Sequence, residues 1–219
     1  MVVDAVVLDL DGVLIDSEPV WEEVRHQLVD ERGGHWRPDA QARLMGMSTN
    51  EWATYLSQDL GVRLAPAEVA ALVIDRMTER FARRLPFLPG ALDALRRLSA
   101  RWPLGLASSS PRRLIDAVVT GSDLAGLFTV TVSTEEVDRG KPSPDVYLDV
   151  AMRLGYRPGS CIAVEDSTNG LRSAISAGFC CVAVPQSRYP VDQAVLEQAT
   201  IVLSSLEGLT VELIESIGR

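Results

Sequence analysis

From residue 91 onward the chain alternates helically spaced apolar residues with short apolar runs, and few folds accept that rhythm. Leu92, Leu95 and Leu98 recur as on one helix face and lead into Leu104-Gly105-Leu106-Ala107. A helix opening at Pro111 leads to a strand at 128–132. One opening at Pro144 leads to 161–164, and one following Asn169 leads to 180–184. Residues 201–203 supply a last edge strand, and an earlier run at 5–10 supplies the first. Strands joined by helical crossovers pair in parallel, and the helices cover both faces of the sheet. The expected class is therefore α/β with a largely parallel sheet.

The interval between the first strand and the next, at 104, is too long for a simple crossover. Its content is helical. Ser17 and Pro19 can open a helix carrying Trp21, Val24 and Leu28, closed by Gly33-Gly34. Asn50 can cap a second, with Trp52, Leu56 and Leu60 on one face and Gly61 as the stop. A third starts near Pro66 and carries Val69, Leu72, Val73, Met77 and Phe81. The proline-rich stretch Leu85-Pro86-Phe87-Leu88-Pro89-Gly90 returns the chain to the main body. The expected organisation is a discontinuous core, 1–16 with 88–219, interrupted by a helical domain at 17–87.

Charge narrows the function. A formal net charge of −9 argues against nucleic acid as a partner and would repel an anionic substrate unless a local cation reverses the field. No apolar run is long enough to span a bilayer, and the amino end lacks the basic start of a secretion signal, so the expected location is the cytoplasm, without a membrane partner. The three cysteines, Cys161, Cys180 and Cys181, have no CxxC spacing and read as small buried side chains. No long exposed apolar stripe marks an obligate partner, and the chain reads as a monomer.

Residues able to do chemistry gather where the strands end. The first strand runs into Asp9-Leu10-Asp11-Gly12, and the one at 104 into Ser108-Ser109-Ser110-Pro111. The third is followed by Arg139-Gly140-Lys141-Pro142, and the one at 161 ends in Glu165-Asp166-Ser167. Ligands of parallel sheets bind beyond these carboxyl ends. If the first strand continues through both acids, Asp9 and Asp11 share a face. Ser108 offers a hydroxyl, and Ser110 with Pro111 leaves first-turn N–H groups free for an anion. Lys141 supplies positive charge, and Glu165 and Asp166 supply oxygen ligands for a hard cation.

With those four segments in that order, the chain resembles the haloacid dehalogenase superfamily, in its phosphatase and phosphomutase branch with a helical cap. Asp9-Leu10-Asp11-Gly12-Val13, Ser108, Lys141-Pro142 and Glu165-Asp166 look like the family's four motifs, spread over nearly the whole chain. The resemblance implies a Rossmann-like three-layer core with an inserted mobile cap. It implies Asp9 as nucleophile, Asp11 as general acid and base, and Lys141 as the third catalytic residue. Phosphate contacts would come from Ser108, Ser109 and Lys141. Mg²⁺ would be held by Asp9, the Asp11 carbonyl and Asp166, with Glu165 beside it. The substrate would be a small phosphorylated metabolite.

Three other readings differ by residues. Dehalogenases of the family lack the second acid that Asp11 supplies here. Phospho-aspartate signalling modules place their acid on a central strand and have no cap. Sugar phosphomutases are nearer. The segment from Arg43 to Asn50 resembles their cap loop, but Thr49 stands where they carry a phosphate-clamping Arg, and Trp21 stands where they carry a His. Both departures favour a phosphatase, and Ile15-Asp16-Ser17-Glu18-Pro19 with Trp21 looks most like phosphatases of hexose and deoxyhexose phosphates. The candidate substrate contacts in the insert are Gly46, Met47, Ser48, Arg76 and Trp21. The competing reading of Trp21 is helix packing, and of Arg76 a solvated surface charge.

Overall fold

The computed structural model describes residues 2–44, 47–121 and 123–218. The chain divides into two compact units, one running to Asp16 and resuming at Pro86, the other Ser17–Leu85. The chain enters through β1 (Ala5–Leu8), whose four residues are all buried. The strand stops at Leu8, short of the expected 10. Gly12 at φ +79° turns the chain back so that Asp11 bridges Ile15, and Asp9 and Asp11 do not share a strand face.

The second unit is helical: α1 (Glu18–Glu31), α2 (Ala40–Leu44), α3 (Thr49–Thr54) and α4 (Pro66–Arg83). Trp21, Val24 and Leu28 of α1, with Val69, Val73, Met77 and Phe81 of α4, are buried, as helical spacing requires. The cap of α3 is Ser48, two residues before the expected Asn50. Its hydroxyl accepts from the Glu51 N–H, and the Glu51 carboxylate accepts from the Ser48 N–H at 2.8 Å. Serine followed three residues later by glutamate satisfies two orphan donors at once, and a lone asparagine cannot match that. Beyond Thr54 the helix widens into a π-turn at Tyr55–Asp59.

The first unit resumes with α5 (Ala91–Ser99), β2 (Leu104–Ser108), α6 (Arg112–Thr120), β3 (Val130–Ser133), α7 (Asp145–Leu154), β4 (Cys161–Glu165), α8 (Thr168–Ser176) and β5 (Cys180–Ala183). It ends with α9 (Gln193–Leu196), β6 (Ile201–Val202) and α10 (Val211–Ile217). The six strands form one sheet in the order β3-β2-β1-β4-β5-β6, with every pair parallel. This is the expected α/β, Rossmann-like core; β1 is central in it, so the strand that carries Asp9 does not separate this chain from phospho-aspartate signalling modules, and the helical insert does. The short helices α2, α9 and α10 went unpredicted because four to seven residues carry too little periodicity to read.

Alternation along β1 decides what reaches the site. Ala5 and Val7 pack with Cys161 and Ala163 of β4 against Val146, Tyr147 and Val150 of α7 and Leu171 and Ala174 of α8. Each fully buried Val or Leu there contributes roughly 1.5–3 kcal/mol. The last registered pair of β1 and β4 is Leu8 with Val164. One step further, Asp9 and Glu165 fall side by side on the face that α7 covers. Among the described residues, no helix is long and apolar enough to cross a membrane.

Candidate active site

Lys141 ties the strand ends together. Its ammonium donates to Asp9 Oδ1 at 2.7 Å, to Glu165 Oε1 at 2.6 Å and to the Ala107 carbonyl at 2.9 Å. Its side chain is only 5% exposed. Buried ions need this completeness, because desolvation exceeds the Coulombic gain unless partners satisfy each donor. Glu165, fully buried, also accepts from the Tyr147 hydroxyl at 2.8 Å, the Asp166 N–H at 3.2 Å and the Ser167 hydroxyl at 3.3 Å.

Asp9, Glu165 and Asp166 each bring a carboxylate oxygen to within 4.8 Å of the others. Three carboxylates against one ammonium leave a formal charge of −2 in a buried site. Burial pushes the Asp9 carboxyl up to about 8; Lys141 opposes that rise, and Glu165 and Asp11 add to it. Burial, then Glu165 and Asp9, hold Asp166 well above the usual carboxylate range. Burial disfavours the charge on Lys141, yet Asp9 and Glu165 outweigh it and keep the ammonium above its ordinary value. Asp9 and Lys141 thus pull in opposite directions across one contact. The dominant fact is the surplus negative charge, so the ammonium stays charged and a proton lodges among the acids. The donor set is all oxygen, which suits a hard divalent cation. A Cβ on Gly12 would lie 2.0 Å from Asp166 Oδ2, so the bare glycine keeps that carboxylate's space open.

Asp11 is held by serines. Its Oδ2 accepts from the Ser110 hydroxyl at 2.7 Å and lies 3.5 Å from the Ser108 hydroxyl, which itself accepts the Ser110 N–H at 3.0 Å. The Ser133 hydroxyl fixes the Ser110 carbonyl at 2.7 Å. One acid is thus held by a lysine and its neighbour by serines, an arrangement that separates their chemistry.

A family model for haloacid dehalogenase-like hydrolases matches residues 3–178. The chain belongs to the haloacid dehalogenase-like hydrolase family. It is 34% identical over 214 residues to hexitol phosphatase B of Escherichia coli K12, covering 94% of each chain. It is 33% identical over 177 residues to the phosphorylated carbohydrates phosphatase of Thermotoga maritima, covering 80% of this chain and 82% of that one. In fold it resembles CbbY from Rhodobacter sphaeroides in complex with phosphate, with a TM-score of 0.86 at 23% identity over 97% of this chain and 99% of that one.

In this haloacid dehalogenase-like hydrolase, Asp9, Lys141, Glu165 and Asp166 form one hydrogen-bonded and ionic cluster, and Asp11 and Ser108 adjoin each other beside it. Ser109 is exposed at the end of β2. The anion site expected at the start of α6 is corrected: Pro111 is the cap residue, and the Arg112 N–H is taken by Glu135 at 2.8 Å. A carboxylate already neutralises that helix end. Glu165, expected beside the metal, has both oxygens engaged by protein donors.

In the helical unit, Gly46 lies outside the described residues, and Met47 is half-buried. The Ser48 hydroxyl is spent on capping α3 and also donates to Glu51 at 2.6 Å. Arg76 pairs with Glu31 at 2.5 Å. Trp21 is buried, its ring 6.0 Å from that of Trp52, with the Arg25 guanidinium 4.6 Å from its centroid. For Trp21 the packing reading therefore fits its surroundings.

Sequence reasoning missed Tyr147, Ser110 as a partner of Asp11, and Gln186, whose amide donates to the Gly12 carbonyl at 2.9 Å. Only Tyr147 left a signal: a phenol amid the apolar positions of α7 needs a partner for its hydroxyl.

Divalent-cation binding to the acidic cluster should tighten as pH rises and release protons, because a carboxyl raised to about 8, as that of Asp9 is, must lose its proton before it can serve as a ligand. Calorimetry in buffers of different ionisation enthalpy would measure both; an affinity flat from pH 6 to 9 would contradict the protonated cluster. The linked stability runs the same way. A carboxyl raised from 3.8 to about 8 on folding stabilises the metal-free fold fully below about 4 and loses that contribution as pH climbs to 8.

Proposed function

We propose that this protein is a Mg²⁺-dependent phosphatase of small phosphorylated metabolites, acting on a sugar or hexitol phosphate through an aspartyl-phosphate intermediate. The observation that carries the reading is the buried Asp9–Lys141 pair beside Asp166, with Asp11 held separately by Ser110. The names of the two curated relatives supply the carbohydrate class.

In the first half-reaction a carboxylate oxygen of Asp9 forms a bond to phosphorus, the ester P–O bond breaks, and Asp11 donates its proton to the departing alkoxide. In the second, Asp11 takes a proton from water as the water oxygen bonds to phosphorus, and the acyl-phosphate bond breaks to return Asp9 and inorganic phosphate. Lys141 and the Ser108 hydroxyl bind the phosphoryl oxygens, and Lys141 answers their charge in both steps. Asp9, Asp166 and the Asp11 carbonyl would hold Mg²⁺, which when bound neutralises the phosphoryl oxygens and the surplus charge of the acids.

The test is product analysis. Glucose 6-phosphate, glucose 1-phosphate and sorbitol 6-phosphate are incubated with enzyme and Mg²⁺, with and without glucose 1,6-bisphosphate. Inorganic phosphate should appear from at least one ester, with no activation by the bisphosphate, because Thr49 carries no charge with which to hold a second phosphate. Interconversion of the glucose monophosphates without phosphate release would replace hydrolysis by transfer.

A further inference from the structure

Tyr147 lies in the first turn of α7, fully buried, with its ring 5.3 Å from that of Phe179 in an edge-on contact. Packing alone would be served by phenylalanine, and burying a phenol costs free energy unless its hydroxyl is satisfied. The hydroxyl donates to Glu165 Oε1 at 2.8 Å, the same oxygen that accepts from Lys141 at 2.6 Å. The Lys141 ammonium also lies 5.3 Å from the centroid of the Tyr147 ring. One side chain therefore touches both members of the Glu165–Lys141 pair.

An ammonium has three hydrogens, and those of Lys141 are committed to Asp9, Glu165 and the Ala107 carbonyl. To meet a phosphoryl oxygen, Lys141 must release one of them. The carbonyl belongs to β2 and cannot follow. Glu165 and Asp9 are the two that could yield, and Glu165 carries a neutral donor that keeps its oxygen in place when the lysine turns. Resting on the phosphatase reading, we propose that Tyr147 is a positioning residue. Its hydroxyl fixes Glu165 so that Lys141 stays anchored there and releases Asp9 when a phosphoryl group enters.

Tyr147→Phe keeps the ring and its contact with Phe179 while removing the hydroxyl. Without it, Glu165 Oε1 is held by Lys141 alone and the pair can shift together. Outer partners of this kind typically cost about 10- to 100-fold in affinity or activity when removed. The expected result is a fall of about tenfold both in kcat and in affinity for tungstate, an unreactive phosphate analogue, measured by calorimetry with Mg²⁺ present. The decisive comparison is a double-mutant cycle with Glu165→Gln. If Tyr147 acts through the Glu165 carboxylate, adding Tyr147→Phe to Glu165→Gln changes tungstate affinity by less than about twofold. A further tenfold loss in that background would overturn the inference, as would wild-type tungstate affinity in Tyr147→Phe alone. The wild-type protein separates the two levels. If it neither binds tungstate nor releases phosphate, the phosphatase reading fails; if it does both and Tyr147→Phe behaves identically, the positioning role alone fails.

Discussion

Asp9→Asn is expected to abolish phosphate release, by at least about 10⁴-fold in kcat, while leaving the protein folded. Asparagine has the shape of aspartate but an amide in place of the carboxylate proposed as nucleophile, so the loss would be chemical rather than architectural. Its structural effect has two parts. Lys141 keeps an oxygen acceptor where Asp9 Oδ1 lies at 2.7 Å, and retains Glu165 at 2.6 Å and the Ala107 carbonyl. The cluster loses one of three crowded carboxylates, and this one resists ionisation up to about pH 8. Above that pH the metal-free variant should be at least as stable as the wild type, because one buried negative charge fewer is confined in the pocket. Thermal unfolding in chelator at pH 9 reads the second part. For the chemical loss, a rapid acid quench with labelled substrate followed by peptide mapping should find the phosphoryl group on Asp9 of the wild type and nowhere in the variant. Label on any other residue would sink the mechanism.

The sheet and the order of its functional strand ends were legible because each depends on local pattern. The apolar run before Asp9 and the run ending at Glu165 read as strands, and a parallel sheet brings carboxyl ends to one edge. What was illegible depends on register and on backbone turns. Asp9 and Asp11 are two residues apart and promised a common face, yet the strand stops at Leu8 and Gly12 turns the chain, so one acid meets Lys141 and the other Ser110. The Glu165–Tyr147 contact spans eighteen positions and follows from how α7 packs on the sheet, chiefly against β2 and β3, which no periodicity encodes. In the helical unit, Ser48, in the segment that resembles a cap loop, and Arg76, on a helix, are candidate substrate contacts by sequence. The structure commits both within the unit, to Glu51 and Glu31. Surface polarity in a sequence does not distinguish a ligand contact from a helix cap or an ion pair.

Gly170→Ala should inactivate and destabilise the protein, although helix propensity alone predicts the reverse. Gly170 is the third residue of α8, where alanine is favoured over glycine by about 1 kcal/mol. A Cβ there would lie 2.0 Å from Glu165 Cδ and 2.0 and 2.1 Å from its two oxygens, far inside contact distance. A carboxylate at the end of a surface side chain could swing aside. Glu165 is fully buried and held by Lys141, Tyr147, Ser167 and the Asp166 N–H, so displacing it breaks all four bonds. Separating a buried ion pair costs about 3–5 kcal/mol, and stranding the Tyr147 hydroxyl adds about 1–3. Against a gain of about 1, the net loss is about 3 kcal/mol or more, a fall of roughly 6–12 °C in Tm for a chain of this size. Activity should drop by on the order of 100-fold, because Lys141 loses the anchor that aims it. Gly159→Ala is the control: its Cβ would meet nothing closer than the Gly178 carbonyl at 4.0 Å, so Tm should hardly move. Glu165→Asp added to Gly170→Ala draws the carboxylate back by one methylene and should recover part of the lost stability. A Gly170→Ala protein with wild-type Tm and kcat would mean that the Glu165 carboxylate does not lie against α8, and the anchoring of Lys141 by Glu165 would fall with it.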